Sequence, residues 1–119
     1  MYETEFQALV EMIGYDMPEV IVDLLDTYLE ESAGLVEVIR TEGRTDLSSQ
    51  SLMRAAHSLK SSSASVGAMP LSVLCGDLEN HLRGIGDAID VEAQIVRIDN
   101  EYGRVSQDLA VRRETLLNT

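Results

Sequence analysis

The chain is poor in several residue types. Of its 119 residues one is cysteine, two are proline, one is phenylalanine and none is tryptophan. A single thiol, Cys75, excludes an internal disulfide and any zinc site built on several cysteines. Scarce aromatics remove the usual stacking platform for bases or sugars. No apolar run approaches the roughly 18 residues that a membrane span needs, and no signal peptide opens the sequence. Positive charge is short as well: nine Lys and Arg stand against 21 Asp and Glu, a net charge of -12. A phosphate backbone would meet a repulsive field over most of such a surface, so neither nucleic acid nor a membrane is an expected partner. These features point to a cytoplasmic protein. The length points to one domain over 1–119, able to bury about two thirds of its unfolded surface.

Alternating strand patterns of useful length are also missing, and what is present is helical periodicity. Over Glu3 to Ile13, Phe6, Leu9, Val10 and Ile13 share a face, and Gly14 with Met17-Pro18 ends the run. From Pro18, a natural first helical position, Ile21, Leu24, Leu25, Tyr28, Leu29, Leu35, Val36 and Ile39 continue a stripe to a stop at Gly43. A further helix is expected to open at Thr45 or Asp46 and to close near Gly67. Met69-Pro70 begins the next, with Leu71, Leu74, Cys75, Leu78, Leu82 and Ile85 on its stripe and a stop at Gly84 or Gly86. The last starts around Asp87 and carries Val91, Ile95, Ile98, Tyr102, Val105, Leu109 and Leu116. Gly34 and Gly103 fall inside helices at about 1 kcal/mol each relative to alanine, which implies close helix contacts or plain tolerance. Short connections favour antiparallel neighbours. The expected fold is all-α, an antiparallel up-down four-helix bundle whose short extra N-terminal helix covers one end of the core. Cys75, mid-stripe, reads as a core residue.

The acids are unevenly placed. Twelve lie in residues 1–46 and nine in 77–119, with none between Leu47 and Gly76. That window holds two cations, Arg54 and Lys60, and Lys60 is the only lysine of the chain. A buried helix would exclude charge in the same way, so the phase of this segment decides.

At about 100° per residue with His57 set to zero, Leu52, Ala55, Leu59 and Val66 fall between about 160° and 220°. His57 therefore points away from the core. Arg54 and Lys60 flank it on the outward face, and small Ser61 and Ala64 follow a turn or two on. A neutral imidazole nitrogen is a competent nucleophile near neutral pH, since its unperturbed pKa is about 6.5. A phosphoryl group placed there adds close to two negative charges, which the two cations offset. Small neighbours leave room for in-line approach of a phosphoryl donor. Ser62 and Ser63, nearer the core side, read as packing residues, since no strand-to-helix nucleophile elbow surrounds them.

The run His57-Ser58-Leu59-Lys60-Ser61-Ser62-Ser63-Ala64-Ser65-Val66-Gly67-Ala68 resembles the signature of histidine-containing phosphotransfer domains, H-x-L-K-G-S-S-x-x-x-G-A. The likeness extends more loosely through Leu71, Leu74, Cys75, Leu78 and Glu79. It departs at Ser61, where that family usually has glycine. The resemblance implies that His57 accepts the phosphoryl group, that Lys60 steadies it, and that Gly67 closes one helix against the next. Glu79 falls where the family often places a Gln or Glu that orients the histidine ring, and Arg83 lies one turn further on the same face.

It also implies a carrier of phosphoryl groups between receiver-domain aspartates, or from a hybrid histidine kinase to a response regulator, with no ATP-dependent kinase activity of its own. The chain accordingly has no phosphate-binding G-x-x-x-x-G-K-[ST] loop. No cofactor is expected on the chain, and Mg2+ would belong to the partner receiver. Met53, Arg54, Ser61, Ala64, Gly67, Ala68, Arg83 and the edge of the following helix are the expected binding residues and docking rim. A monomer is expected, and Met1 with a helical pattern running to the end favours a free-standing protein over an excised domain.

Two other readings compete. A dimetal bundle would use Glu-x-x-His pairs, but Arg54 and Leu78 stand three residues before His57 and His81, and His81 reads as a half-buried flank residue. An interaction module that binds receiver domains without carrying phosphate is the other, against which stands the presence of both His57 and Lys60.

Overall fold

A computed structural model describes residues 18–118. They form four helices: α1 Pro18–Glu42, α2 Gln50–Ser65, α3 Met69–Leu82 and α4 Val91–Leu117. Among the described residues there is no strand. The expected helix over Glu3 to Ile13 lies outside them. α1 packs on α2 and α4, and α3 packs on the same two, so the four stand at the corners of a square.

Side chains that join helix ends give the directions. Arg44, just past the end of α1, pairs with Glu92 at the start of α4, while Arg113 near the end of α4 pairs with Asp26 near the start of α1. Tyr28, early in α1, bonds Ser63, late in α2. Each helix therefore runs against its neighbours, as short connections require.

The helix ends follow local chemistry, and two differ from expectation. α2 opens at Gln50, not at Thr45 or Asp46. The Thr45 hydroxyl is used on the Thr41 carbonyl and the Asp46 carboxylate on Ser48, so neither is free to cap. Ser49 takes the role: its Oγ accepts from Leu52 N at 3.2 Å and donates to Glu42 Oε2 at 2.6 Å, tying α2 to the end of α1. α4 opens at Val91, not around Asp87, because Asp90 Oδ1 caps Ala93 N at 3.1 Å.

Gly67 ends α2 at φ +81°, with Ala68 N donating back to Ser63 O at 2.8 Å. Gly84 ends α3 at φ +76°, with Ile85 N on Asn80 O at 2.9 Å. Both are left-handed helix ends that a side chain would strain. The turn at Gly84 takes Ile85 off the expected stripe and leaves it 55% exposed; Leu24, also expected on a stripe, is 42% exposed.

The core is aliphatic: Leu25, Val36, Ile39, Leu52, Leu59, Leu71, Leu78, Ile95, Ile98 and Val105 are fully buried, each worth about 1.5–3 kcal/mol of burial. Cys75 is among them, and burial pushes its thiol up to about 12. A hydroxyl or amide tie crosses each contact between adjacent helices. Tyr28 Oη to Ser63 Oγ joins α1 to α2, Ser32 Oγ to Tyr102 Oη joins α1 to α4, Gln94 Nε2 to Leu74 O joins α4 to α3, and Ser72 Oγ to Lys60 O joins α3 to α2, all at 2.8–2.9 Å. Each tie fixes the sliding of one helix past another, which aliphatic packing alone leaves soft. No described helix is long and apolar enough to cross a membrane.

Candidate functional site

The site is built on the contact between α2 and α3. Ser49 and Gly67 set the two ends of α2, and Leu52, Ala55, Ala56, Leu59 and Ser63 turn inward. That phase leaves the His57 side chain 55% exposed. Ser72 holds the Lys60 carbonyl to the first turns of α3, so the register between the helices is fixed next to the histidine.

Glu79 enters from α3 and is the centre of the cluster. It is only 3% exposed, and its carboxylate meets three groups at the surface. Oε2 lies 2.8 Å from His57 Nδ1 and accepts Arg83 Nη2 at 2.9 Å and Nε at 3.1 Å. Oε1 faces the Lys60 ammonium at 2.8 Å, a contact of charge rather than a directed hydrogen bond. Burial alone would raise the Glu79 pKa, but the contacts with Lys60, Arg83 and His57 outweigh it and hold the group at about 2.

A carboxylate with that pKa is ionised at neutral pH and only accepts hydrogen bonds. The proton between it and His57 therefore belongs to Nδ1. In the neutral ring the lone pair then sits on Nε2, which has no hydrogen-bond partner among the described residues. The buried carboxylate selects the tautomer and aims the other nitrogen outward.

The residues expected from the sequence separate into three groups. His57, Lys60, Glu79 and Arg83 are brought together by the ion pairs above. Met53, Arg54, His57 and Arg83 line a shallow depression of about 440 Å³ with Ser48 and Gln50, and Arg54 has no ion-pair partner among the described residues. Ser61 and Ala64 are exposed on the other side of His57 along α2.

The third group corrects the expected rim. Ala68 is 2% exposed and packs in the core cluster, and Gly67 is also buried. Both belong to the turn from α2 into α3, where the chain folds back beneath the surface, and neither can touch a partner.

The surface around His57 is free of acid only in sequence, since Glu79 reaches it from the neighbouring helix. Ser62 is half-buried, and Ser63 is fully buried on Tyr28. His81 is half-buried. Among the described residues no group of three His, Cys, Asp or Glu side chains is placed to hold a metal.

The sequence reading passed over Ser48, Gln50, Ser72 and Gly76. The last two stand seven and three residues before Glu79, on the face of α3 that meets Lys60, and helical spacing from Glu79 was the signal for them.

Comparison with curated proteins and with solved structures returned no match. A model of the family described as Hpt domain matches residues 23–108, which hold the whole cluster and most of the bundle. With that match over more than half of its length, the chain belongs to the Hpt domain family, whose members serve phosphotransfer in two-component signalling.

Proposed function

We propose that the chain is a phosphorelay carrier that holds its phosphoryl group on His57 Nε2. The reading rests on one observation above the rest: Nδ1 faces an ionised, buried carboxylate at 2.8 Å, while Nε2 of a ring that is 55% exposed has no hydrogen-bond partner among the described residues. In the forward step the Nε2 lone pair attacks the phosphorus of an aspartyl phosphate on a receiver domain. A P–N bond forms as the acyl P–O bond breaks, and the aspartate leaves as carboxylate. The ring then carries a positive charge, shared as Nδ1–H with Glu79, and the reverse step returns the phosphoryl group without any change in proton count.

Lys60 and Arg83, both anchored on Glu79, are within reach of the new phosphate and offset its charge. Mg2+ and the acidic pocket belong to the receiver domain. The sequence carries no G-x-x-x-x-G-K-[ST] loop, and the phosphate comes from a hybrid kinase or a receiver. We place it in the cytoplasm and take it to act as a monomer, docking through the depression that Met53 and Arg54 line and through Ser61 and Ala64.

Incubation with phosphorylated receiver domains tests this reading. The wild-type chain takes up label that is lost in acid and survives alkali, and H57Q takes up none. Label on H57Q, or label stable in acid, sinks it. A module that binds receivers without carrying phosphate would bind both forms alike and label neither.

A further inference from the structure

Lys60 is held against α3 along its whole length. Its carbonyl accepts from Ser72 Oγ at 2.8 Å, its stem passes over Gly76, and its ammonium ends 2.8 Å from Glu79 Oε1. Positions 72, 76 and 79 are four and three residues apart and share one face of the helix. A Cβ at Gly76 would stand 3.2 Å from Lys60 Cδ and 3.8 Å from Cγ, the first tighter than ordinary van der Waals contact. Gly34 and Gly103, the other glycines inside helices, have nothing within 4 Å of such an atom. Glycine is a poor helix former, and at position 76 alone its missing side chain is answered by a neighbour that uses the space.

Resting on the reading that His57 carries phosphate, we infer that Gly76 is a positioning residue of the site, whose bare Cα is the floor on which the Lys60 stem lies. It fixes where the ammonium of the only lysine stands relative to His57. A side chain at 76 lifts the stem from α3 and releases the ammonium from Glu79 into solvent. A cation already in place beside the ring stabilises developing phosphoryl charge without reorganising, whereas a free lysine must give up its rotamer freedom each time. The inference adds no covalent step: the bonds made and broken are those described above, and Lys60 exchanges no proton.

The test loads the full chain with phosphoramidate, a small P–N phosphoryl donor that needs no partner, and follows phosphohistidine by 31P NMR. Because Lys60 is the only lysine, its Cε methylene signal reports its tether without ambiguity. Variants G76A and G76L are compared alone and combined with K60A. G76L is expected to load about tenfold more slowly than wild type, with a free-lysine Cε signal, and to add nothing in the K60A background. G76A is expected to load more slowly while gaining thermal stability, since alanine is the better helix former, which separates positioning from folding. Wild-type loading and Cε signal in G76L, or equal slowing by G76L with and without Lys60, overturns the inference. If wild type itself fails to load, or H57Q loads equally, the phosphate reading falls first and the role of Gly76 falls with it.

Discussion

Glu79 Oε2 lies 2.8 Å from His57 Nδ1, and the carboxylate that makes this contact is buried while the ring is half in solvent. The two sides of the pair therefore have different work: one is fixed by the bundle and the other faces outward. Three side chains converge on the same carboxylate, so its removal disturbs ring, lysine and arginine together.

The first prediction separates that function from folding. Removing one member of a buried ion pair is costly when it strands a buried charge, but His57, Lys60 and Arg83 are each 38–55% exposed and can turn to water, so only the desolvation cost of the carboxylate is removed with it. Glu79→Met should unfold in urea within about 1 kcal/mol of wild type, yet transfer phosphoryl about 100-fold more slowly, since the tautomer and the two cations lose their anchor. Glu79→Gln, which keeps an acceptor oxygen, should fall between. Rapid-mixing transfer assays beside urea midpoints check both; a fully active E79M removes the carboxylate from the mechanism.

Acid should expose the same group. The folded pKa of Glu79 is about 2, below an unfolded value of about 4.3. Stability from a depressed carboxylate is fully present above the unfolded value and is lost as pH falls through the folded one. The stability difference between wild type and E79Q should therefore shift against wild type by about 1–2 kcal/mol between about pH 5 and about pH 2. That figure is discounted from the full linkage because Lys60, Arg83 and His57 are partly solvated. Urea midpoints taken at one-unit intervals of pH measure it, and a difference that does not change with pH contradicts the ion-pair account.

Much of this arrangement is legible in the residues, and the illegible part has a common cause. Helical spacing gives all four described helices and the outward phase of His57, because one face of each must be apolar. By spacing alone Glu79 is just another acid after Gly76; the motif resemblance is what points it at the ring, and the packing of α3 on α2 is what brings it to a histidine 22 residues away. Ala68 fails in the opposite direction. It continues a surface motif in sequence but lies beneath the surface, since the chain reverses at Gly67. The start of α2 is missed because Thr45, Asp46 and Ser49 are all competent caps, and the choice among them depends on which oxygens α1 and the loop have already taken.

The tie between α1 and α2 predicts a double-mutant cycle. Tyr28 Oη and Ser63 Oγ are 2.9 Å apart in the core, and burial pushes the Tyr28 hydroxyl up to about 12 against the Ser63 hydrogen bond. Y28F or S63A alone leaves one buried hydroxyl unpaired, at a cost of about 1–3 kcal/mol. The double variant leaves neither, so it should cost less than the sum of the singles by about 1 kcal/mol or more. Thermal or urea unfolding of the four proteins gives the coupling, and simple additivity would mean that water satisfies the hydroxyls.

Glycine substitutions give the last prediction and settle the choice between close contact and tolerance. Around Gly34 and Gly103 a Cβ meets nothing within 4 Å, and neither has a positive φ. Alanine there restricts the unfolded chain and costs no contact, so G34A and G103A should each stabilise by about 0.5–1 kcal/mol. Gly43 is the reverse case. A Cβ there would stand 2.5 Å from Ile39 O and 2.5 Å from Ile95 Cδ1, where the end of α1 presses on α4. Ile95 can shift only by disturbing the core, and the Ile39 carbonyl is fixed by its own bond to Gly43 N at 3.1 Å. G43A should therefore destabilise by about 1–3 kcal/mol. The opposite signs in one urea series make the comparison self-controlled: equal effects at all three positions would show that backbone freedom, and not the contact with α4, decides what a methyl group does at Gly43.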